Sequence, residues 1–465
     1  MEIPPRVRWM QDILPDYHNY FTFLKKVFRH EFRKNGFRRI STPILEQKEI
    51  FTRTVWAGTD IVDKEMYNLI DKKGRELVMK PETTAPVMRA YLQDDMQSQP
   101  QPVFLYYVEP HFRYDRPQKG RYRQHHQFGA EIIGEEDPVL DAQLIYIGYK
   151  TINSIGLEWD FKVVINSVGT AKDREKYVEE LKNFYENKKH LLSEDGLRKL
   201  ETNPLRLLDT KIEDEIILAN EAPQIAKFLK KKSREHYAKV KEYLEILNVP
   251  YEEDHKLVRG LDYYTHTVWE FIDNSGRSQN SYGWGGRYNW LSQAMGYKDE
   301  VPGVGMGIGA ERLIEALQDK WVLIKNKDEI DLYFIQLWEE AKKLVLPLSL
   351  EARDKWINTL VSLGTPSLGT QMKKANRIGA KFVVMVWIME ARNGIFQVRN
   401  MIDGTQEEVK KEDILEYVIN HIWADKLDFY DPVRDLVMWE PPVKTEEQEI
   451  AEKEEYEAAE REENA

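Results

Sequence analysis

The segment Phe112–Gly134, FRYDRPQKGRYRQHHQFGAEIIG, decides how the rest of the chain is read. Its flanks, QPVFLYYVEPHFRYD and RYRQHHQFGAEIIG, have strand composition, and the polar RPQKG between them suits a hairpin loop. Successive side chains of a strand face opposite ways. Arg121, Arg123, His125, Gln127, Gly129 and Glu131 therefore share one face, which is polar apart from the glycine. A solvated outer face would look the same, and alternation alone leaves both readings open. Arg113 precedes the loop and falls on the partner strand. A paired hairpin then aims several guanidiniums and one carboxylate at a common volume. Guanidiniums in fixed geometry suit phosphate oxygens, and Glu131 with Gln127 suits a small polar ligand bearing donors. Together they point to a phosphorylated substrate beside an amine or imidazole.

Composition sets the frame. The chain has 465 residues, enough for two to four domains, and is 42% hydrophobic. It has no cysteine, which excludes disulfides and thiolate metal sites. No apolar run approaches a membrane span, and the N-terminus resembles neither a signal nor a transit peptide. The expectation is a cytoplasmic protein with no membrane partner. The net charge is −12, of which the tail Lys444–Ala465 carries −7, leaving −5 for the rest. Local basic clusters then matter more than the total.

A helix is expected over Tyr17–Lys34, strands over RRISTPIL and RELVMKPE, and a helix over Pro138–Ser154. Residues 171–250 are charged and helical and look inserted, because strand-like sequence resumes at Lys256. Their basic run KKKSREHYAKVK suits RNA backbone, but more simply a solvated helix face. After about residue 330, strands and helices alternate as in a small α/β domain ending near 421. Residues 422–465 form an extension with an acidic tail.

Three further clusters could carry chemistry. In MKPETTAP, Glu82, Thr83 and Thr84 offer an acceptor and two hydroxyls, or simply a helix cap. In LVRGLDYYTHTVWE, Arg259 precedes a glycine, and Tyr263 and Tyr264 would point to opposite faces of a strand. In GMGIGAERL, glycines alternate along a strand and Arg312 opens a helix, without the spacing of a dinucleotide fingerprint. No zinc ligand pattern is present, and no dedicated metal site is expected.

With these segments in order, the chain resembles the class II histidyl-tRNA synthetases from about Pro5 to Ile422. FRYDRPQKGRYRQHHQFGAEIIG resembles the family's second motif, LVRGLDYYTHTVWE its histidine-recognition motif, and GVGMGIGAERL its third motif. FRRISTPIL resembles its first motif, and NPLRLLDTK part of its insertion. The resemblance implies an α+β catalytic core, an antiparallel sheet flanked by helices, at 1–170 and 251–320. It also implies a helical insertion at 171–250 and a C-terminal α/β anticodon-binding domain at 330–421. It implies activation of L-histidine with ATP and Mg²⁺, then transfer to tRNA(His), with an inactive regulatory or tRNA-sensing relative as the alternative.

It further implies roles for individual residues. Arg113 and Arg259 act at the reacting phosphate and carboxylate. Arg312 holds the γ-phosphate, with Asp115, Arg121 and His125 also toward ATP. Glu82, Thr83, Thr84, Gln127 and Tyr263 surround histidine, whose imidazole is read by Glu131 and Tyr264. Arg116 and Gln118 face the tRNA acceptor end. A homodimer is expected through the first motif, with the helix Tyr17–Lys34 and the strand Ile40–Leu45 as its surface.

Tryptophan departs from the family's pattern. Trp284 and Trp290 in SYGWGGRYNWL stand where a tight glycine turn is expected, and Trp9, Trp56, Trp321, Trp338, Trp356 and Trp387 also fall at glycine positions. Glycine numbers 25 in 465, about 5% against the usual 7% or so. UGA glycine codons translated as tryptophan leave this pattern, as would a family with unusual aromatic turns or a deliberately Trp-loaded variant.

Overall fold

The structure is a computed structural model. It describes residues 3–54, 65–114, 121–158, 160–258, 263–275, 281–324, 330–355, 357–362, 364, 367–426 and 436–438. The chain divides into two compact units, residues 1–324 with 436–465, and residues 325–435.

The first unit is built on an eight-stranded sheet. Its strands are β1 (Arg38–Arg39), β2 (Val103–Phe112), β3 (Gln124–Ile133), β4 (Phe161–Ser167), β5 (Tyr251–Glu253), β6 (Thr265–Asp273), β7 (Ser281–Arg287) and β8 (Gly303–Gly309). Their spatial order is β1-β2-β3-β8-β7-β6-β4-β5, antiparallel except at the two edge pairs. The alternation expected in the β3 segment is present. Phe128, Ala130 and Ile132 join the main apolar core, while Gln127 and Glu131 leave by the other face.

That core is covered by helices α1 (Pro15–Lys34), α3 (Val139–Ile152) and α8 (Ala310–Asp319). Helix α1 starts on Pro15, whose missing N–H is no loss at a helix start, and is followed by Gly36 at φ +85°. Its stripe of Phe21, Leu24, Val27, Phe28 and Phe32 has helical spacing and is buried, with Phe28 stacked on Phe128 at 4.2 Å between centroids. The apolar stripe of α1 is thus used within its own chain and does not supply the dimer surface expected of it. The opposite face of the sheet carries a smaller core with helix α2 (Thr84–Gln93).

The segment RRISTPIL forms no continuous strand. Only Arg38–Arg39 and the separate Leu45–Gln47 pair, with Pro43, which lacks a ladder donor, between them. Likewise, Ser281–Arg287 is a strand of the main sheet and not a tight turn. Its glycines serve close approach, since a Cβ on Gly286 would lie 2.5 Å from the Tyr264 ring.

Within residues 171–250, helices α4 (Ala171–Glu186), α5 (Glu194–Thr202) and α6 (Glu213–Glu221) surround an apolar core of their own. Helix α7 (Lys231–Ile246) does not share it, because its Val240 and Leu244 join the main core under the sheet. Lys232 and Lys241 of the basic run pair with Glu136 and Glu253 at 2.9 and 3.0 Å, as on a solvated face. Arg174 of α4 donates to the Tyr264 carbonyl at 2.7 Å. The unit also includes Leu436–Met438, which pairs with Val322–Ile324.

The second unit is a five-stranded mixed sheet: β9 (Leu332–Gln336), β10 (Thr359–Val361), β11 (Phe382–Val386), β12 (Ile395–Asn400) and β13 (Gln406–Lys410). The order is β10-β9-β11-β12-β13, with the first three strands parallel and the last two antiparallel. Helices Glu339–Asp354, Leu368–Arg377 and Ile414–Lys426 complete it.

A buried ion pair ties β7 to α3. Arg287 and Asp141 are both fully buried, with Arg287 Nε 3.0 Å from Asp141 Oδ2. Arg287 also donates to the carbonyls of Glu135 and Asp137. Burial alone would raise the Asp141 pKa, and Arg287 with His236 pulls it well below the usual carboxylate range. Removing one partner strands the other without its counter-charge. Asp141→Asn is expected to lower unfolding stability by about 3–5 kcal/mol, and Asp141→Asn/Arg287→Met by less than the sum of the single changes. Urea denaturation of the three proteins checks this.

Candidate functional site

The site lies on the sheet face opposite the main core. Cross-strand register lays two rows across its floor. One runs Glu131–Gly305–Gly286–Val268 and the other Gly129–Gly307–Trp284–Glu270. Glycine dominates because neighbouring side chains, Glu131 and Tyr264 among them, lie close over the sheet. A Cβ on Gly305 would fall 1.7 Å from Glu131 Oε2.

Glu131 is fully buried. Its Oε1 accepts from Thr84 Oγ1 at 2.8 Å and from Tyr107 at 3.3 Å, and its Oε2 from Tyr288 at 2.5 Å. No cation is among these partners. Burial pushes its pKa up to about 8, with the hydroxyl donors opposing, so at neutral pH the carboxyl holds its proton. Glu82 has a different setting. Its carboxylate accepts the backbone N–H groups of Thr84 and Ala85 at 2.6 and 3.1 Å, capping α2 as the plainer reading allowed. Burial raises its pKa, while those two N–H groups and Arg113 oppose the rise.

Glu82, Thr83, Thr84, Arg113, Gln127, Tyr263, Tyr264 and Trp284 line one cavity with Tyr107 and the β8 glycines. Gln127 is buried, and its Nε2 finds no hydrogen-bond partner among the described residues. Tyr263 and Tyr264 precede β6 rather than lying in it. Their rings meet at 4.8 Å between centroids and both face this cavity, so strand alternation does not apply to them.

Beyond Gln127 the floor turns cationic. Arg113 Nε donates to Pro81 O at 2.8 Å, and Arg312 Nη1 to Ser281 O at 2.6 Å. The Arg312 pKa is pushed down to about 10 by burial, with Arg121 and Arg113 repelling its charge and Glu270 opposing them. Three guanidiniums therefore share this region. His125 sits beside them, held neutral by burial and then by Arg113 and Arg312. Across the hairpin stands His111, fully buried and 2.6 Å from the Thr83 hydroxyl. Arg121 lies 3.9 Å from Glu65, and Arg123 covers the Tyr114 ring.

Arg259, Asp115, Arg116 and Gln118 lie outside the described residues. Sequence reasoning missed Tyr107, Tyr288 and His111. The signal for Tyr107 was Gly129, its cross-strand partner, where a Cβ would meet the ring at 2.1 Å.

Comparison with known proteins bears on this arrangement. The family model for histidyl-tRNA synthetase matches residues 9–313, and that for an anticodon-binding domain matches 323–421. The histidine–tRNA ligase of Halothermothrix orenii is 38% identical over 409 residues, covering 88% of this chain and 97% of its own. That of Staphylococcus aureus is 38% identical over 415 residues, covering 88% and 98%. The crystal structure of the apo S. aureus histidyl-tRNA synthetase superposes with a TM-score of 0.74 at 33% identity, covering 90% of this chain and 99% of that one.

The protonated Glu131 has a consequence for stability. The folded chain keeps a proton that the unfolded chain releases above its ordinary pKa of 4.5. Stability of the ligand-free protein should therefore fall as pH rises from about 5 to 8. Glu131→Gln should remove roughly 3 kcal/mol of that fall, read from urea midpoints at both ends of the range.

Proposed function

The chain belongs to the histidyl-tRNA synthetase family and ligates histidine to its tRNA, and from that premise we propose how its residues divide the work. One observation carries the reading: a cavity lined by Glu82, Thr84, Gln127 and Tyr264 meets a cluster of guanidiniums at Arg113 on a single sheet face. In the first step a histidine carboxylate oxygen bonds to the α-phosphorus of ATP, and pyrophosphate leaves. In the second, the 3′-terminal ribose hydroxyl of tRNA(His) takes the histidyl group, and AMP leaves.

Glu82, Thr84 and Gln127 would hold the α-amino and carboxylate ends of histidine, with Thr83 and Tyr263 behind them. The unsatisfied Gln127 amide supports this, because a buried donor without a partner is costly until a ligand accepts from it. Glu131 and Tyr264 would meet the two imidazole nitrogens. Neutral imidazole donates from one and accepts at the other, and a carboxyl with a phenol serves both. Arg113 would bridge the reacting carboxylate and α-phosphate, with Arg259 as a second cation there. Arg312 would take the γ-phosphate, with Asp115, Arg121 and His125 toward the rest of ATP. Fixed positive charge at that phosphate stabilises charge developing in the transition state.

Among the described residues no group of three or more His, Asp or Glu could hold a metal ion. Mg²⁺ would be bound through the ATP phosphates and supply charge neutralisation there. Arg116 and Gln118 would contact the acceptor end of the tRNA, and the anticodon-binding domain its other end. No helix among the described residues is long and apolar enough to cross a membrane, and an enzyme of this translation family would work in the cytoplasm. We assign the protein a homodimeric state through the first-motif region, where Ile44 and Leu45 are 45% and 46% exposed.

Glu131→Gln should lower kcat/KM for histidine in ATP–pyrophosphate exchange by about 1.5–3 kcal/mol, roughly 10- to 150-fold relative to its parent. Its affinity for tRNA(His) should be unchanged, and an unaltered kcat/KM would refute the role. Light scattering at micromolar concentration should give about twice the 55.0 kDa of one chain. Deleting residues 444–465 should leave aminoacylation intact, since the family match ends before them.

A further inference from the structure

The floor of the cavity has one member that does not fit it. Along its two rows, Gly129, Gly286, Gly305 and Gly307 leave room above the sheet, and Trp284 stands among them, paired with Gly307 on one side and Glu270 on the other. Its side chain lines the same cavity as Glu82, Thr84, Gln127 and Tyr264. That cavity measures about 20 Å³, room for about one water molecule, whereas small-molecule sites run to about 300 Å³ and more. Glu82, Thr83, Thr84, Gln127 and Tyr264 bring their polar groups to this small volume, and the Trp284 side chain lines it with them.

Two more tryptophans conflict with their backbone. Five non-glycine residues among those described have positive φ: Trp9, Asp95, Asn248, His266 and Trp321. Asp, Asn and His are the types that tolerate the left-handed region. The other two are both tryptophan, at φ +67° and +58°. Trp9 is third in the turn closed by Met10 N–H to Val7 O, the place a type II turn reserves for glycine. Trp321 follows the C-cap Lys320 of α8 and is 52% exposed. It occupies the position that helices most often end with glycine, and at that exposure tertiary packing gives little to offset the strain.

We propose that residue 284 is the gate of the histidine site, and that the working enzyme carries glycine at positions 9, 284 and 321. The gate rests on the reading of this cavity as the histidine site; the turns at 9 and 321 do not. A glycine at 284 continues the bare floor and opens the volume that Glu82, Thr84 and Gln127 line. A tryptophan there shuts it while leaving the sheet intact, because strand pairing uses only the backbone.

Two measurements test this. The first reads the gene: UGA is expected at codons 9, 284 and 321, and mass spectrometry of the protein from its own cells should show glycine there. UGG at any of the three overturns the assignment at that position. The second compares the chain as printed with Trp284→Gly, both made recombinantly. Histidine-dependent ATP–pyrophosphate exchange should rise at least 100-fold on opening, while melting temperature moves little. Equal exchange by the two proteins overturns the gate. Trp9→Gly and Trp321→Gly should each raise the melting temperature by about 2–4 °C, and no rise would overturn their assignment. UGA codons combined with an opened protein that neither exchanges nor binds histidine by calorimetry would overturn the histidine reading of the cavity, and with it the gate, while the glycine assignments stand. The Glu131→Gln comparison is then made in the Trp284→Gly background.

Discussion

A buried carboxyl without a counter-charge shapes this active site. Glu131 can lie flat on the sheet only because position 305 has no Cβ, and it can stay buried only because three hydroxyls, from Thr84, Tyr107 and Tyr288, converge on it. Each of those hydroxyls comes from a different part of the unit: the start of α2, strand β2, and the segment after β7. The carboxyl therefore orders three elements around one point. The arrangement is unfavourable in isolation, since burial of an ionisable group disfavours its charged form. The three hydroxyl donors offset part of that cost.

The sheet separates two jobs by parity. On β3, Phe128, Ala130 and Ile132 build the core, and Gln127, Gly129 and Glu131 build the site. A slip of one residue would exchange the two sets. The apolar residues thus hold the register that the polar ones need, and Arg287 with Asp141 anchors the same sheet to a helix from beneath. Burial depresses the Arg312 pKa most, and repulsion from Arg121 and Arg113 adds to it against the pull of Glu270.

Much of this was legible in the residues. The alternation in RYRQHHQFGAEIIG showed a polar face with one acid, and the glycines of GVGMGIG showed that something must approach closely. What escaped was whatever depends on partners far away in sequence. Tyr107 and Tyr288 look like ordinary strand and turn aromatics until the register brings both to Glu131. Helix α1 has an amphipathic stripe that could serve either a core or an interface, and only the position of Phe128 decides between them. The glycines of SYGWGGR point to close approach, and only the family resemblance implied a tight turn there. Its glycines are instead demanded by neighbours on both faces of a strand, Tyr264 on one and Trp269 on the other. Tyr263 and Tyr264 were misjudged for a related reason, since two residues before a strand need not obey its alternation.

The contact of Arg174 with the Tyr264 carbonyl gives the insertion a mechanical meaning. Helix α4 begins the insertion, and α7 ends it while packed in the main core, with His236 stacked on His266 two residues beyond Tyr264. Both ends of the insertion are thus clamped to the same short stretch of chain. A body held at two points on one side cannot swing as a loose flap. The backbone that carries Tyr264 is in turn fixed from two helices that are 45 residues or more apart in the chain, so its place is set by residues well outside the sheet.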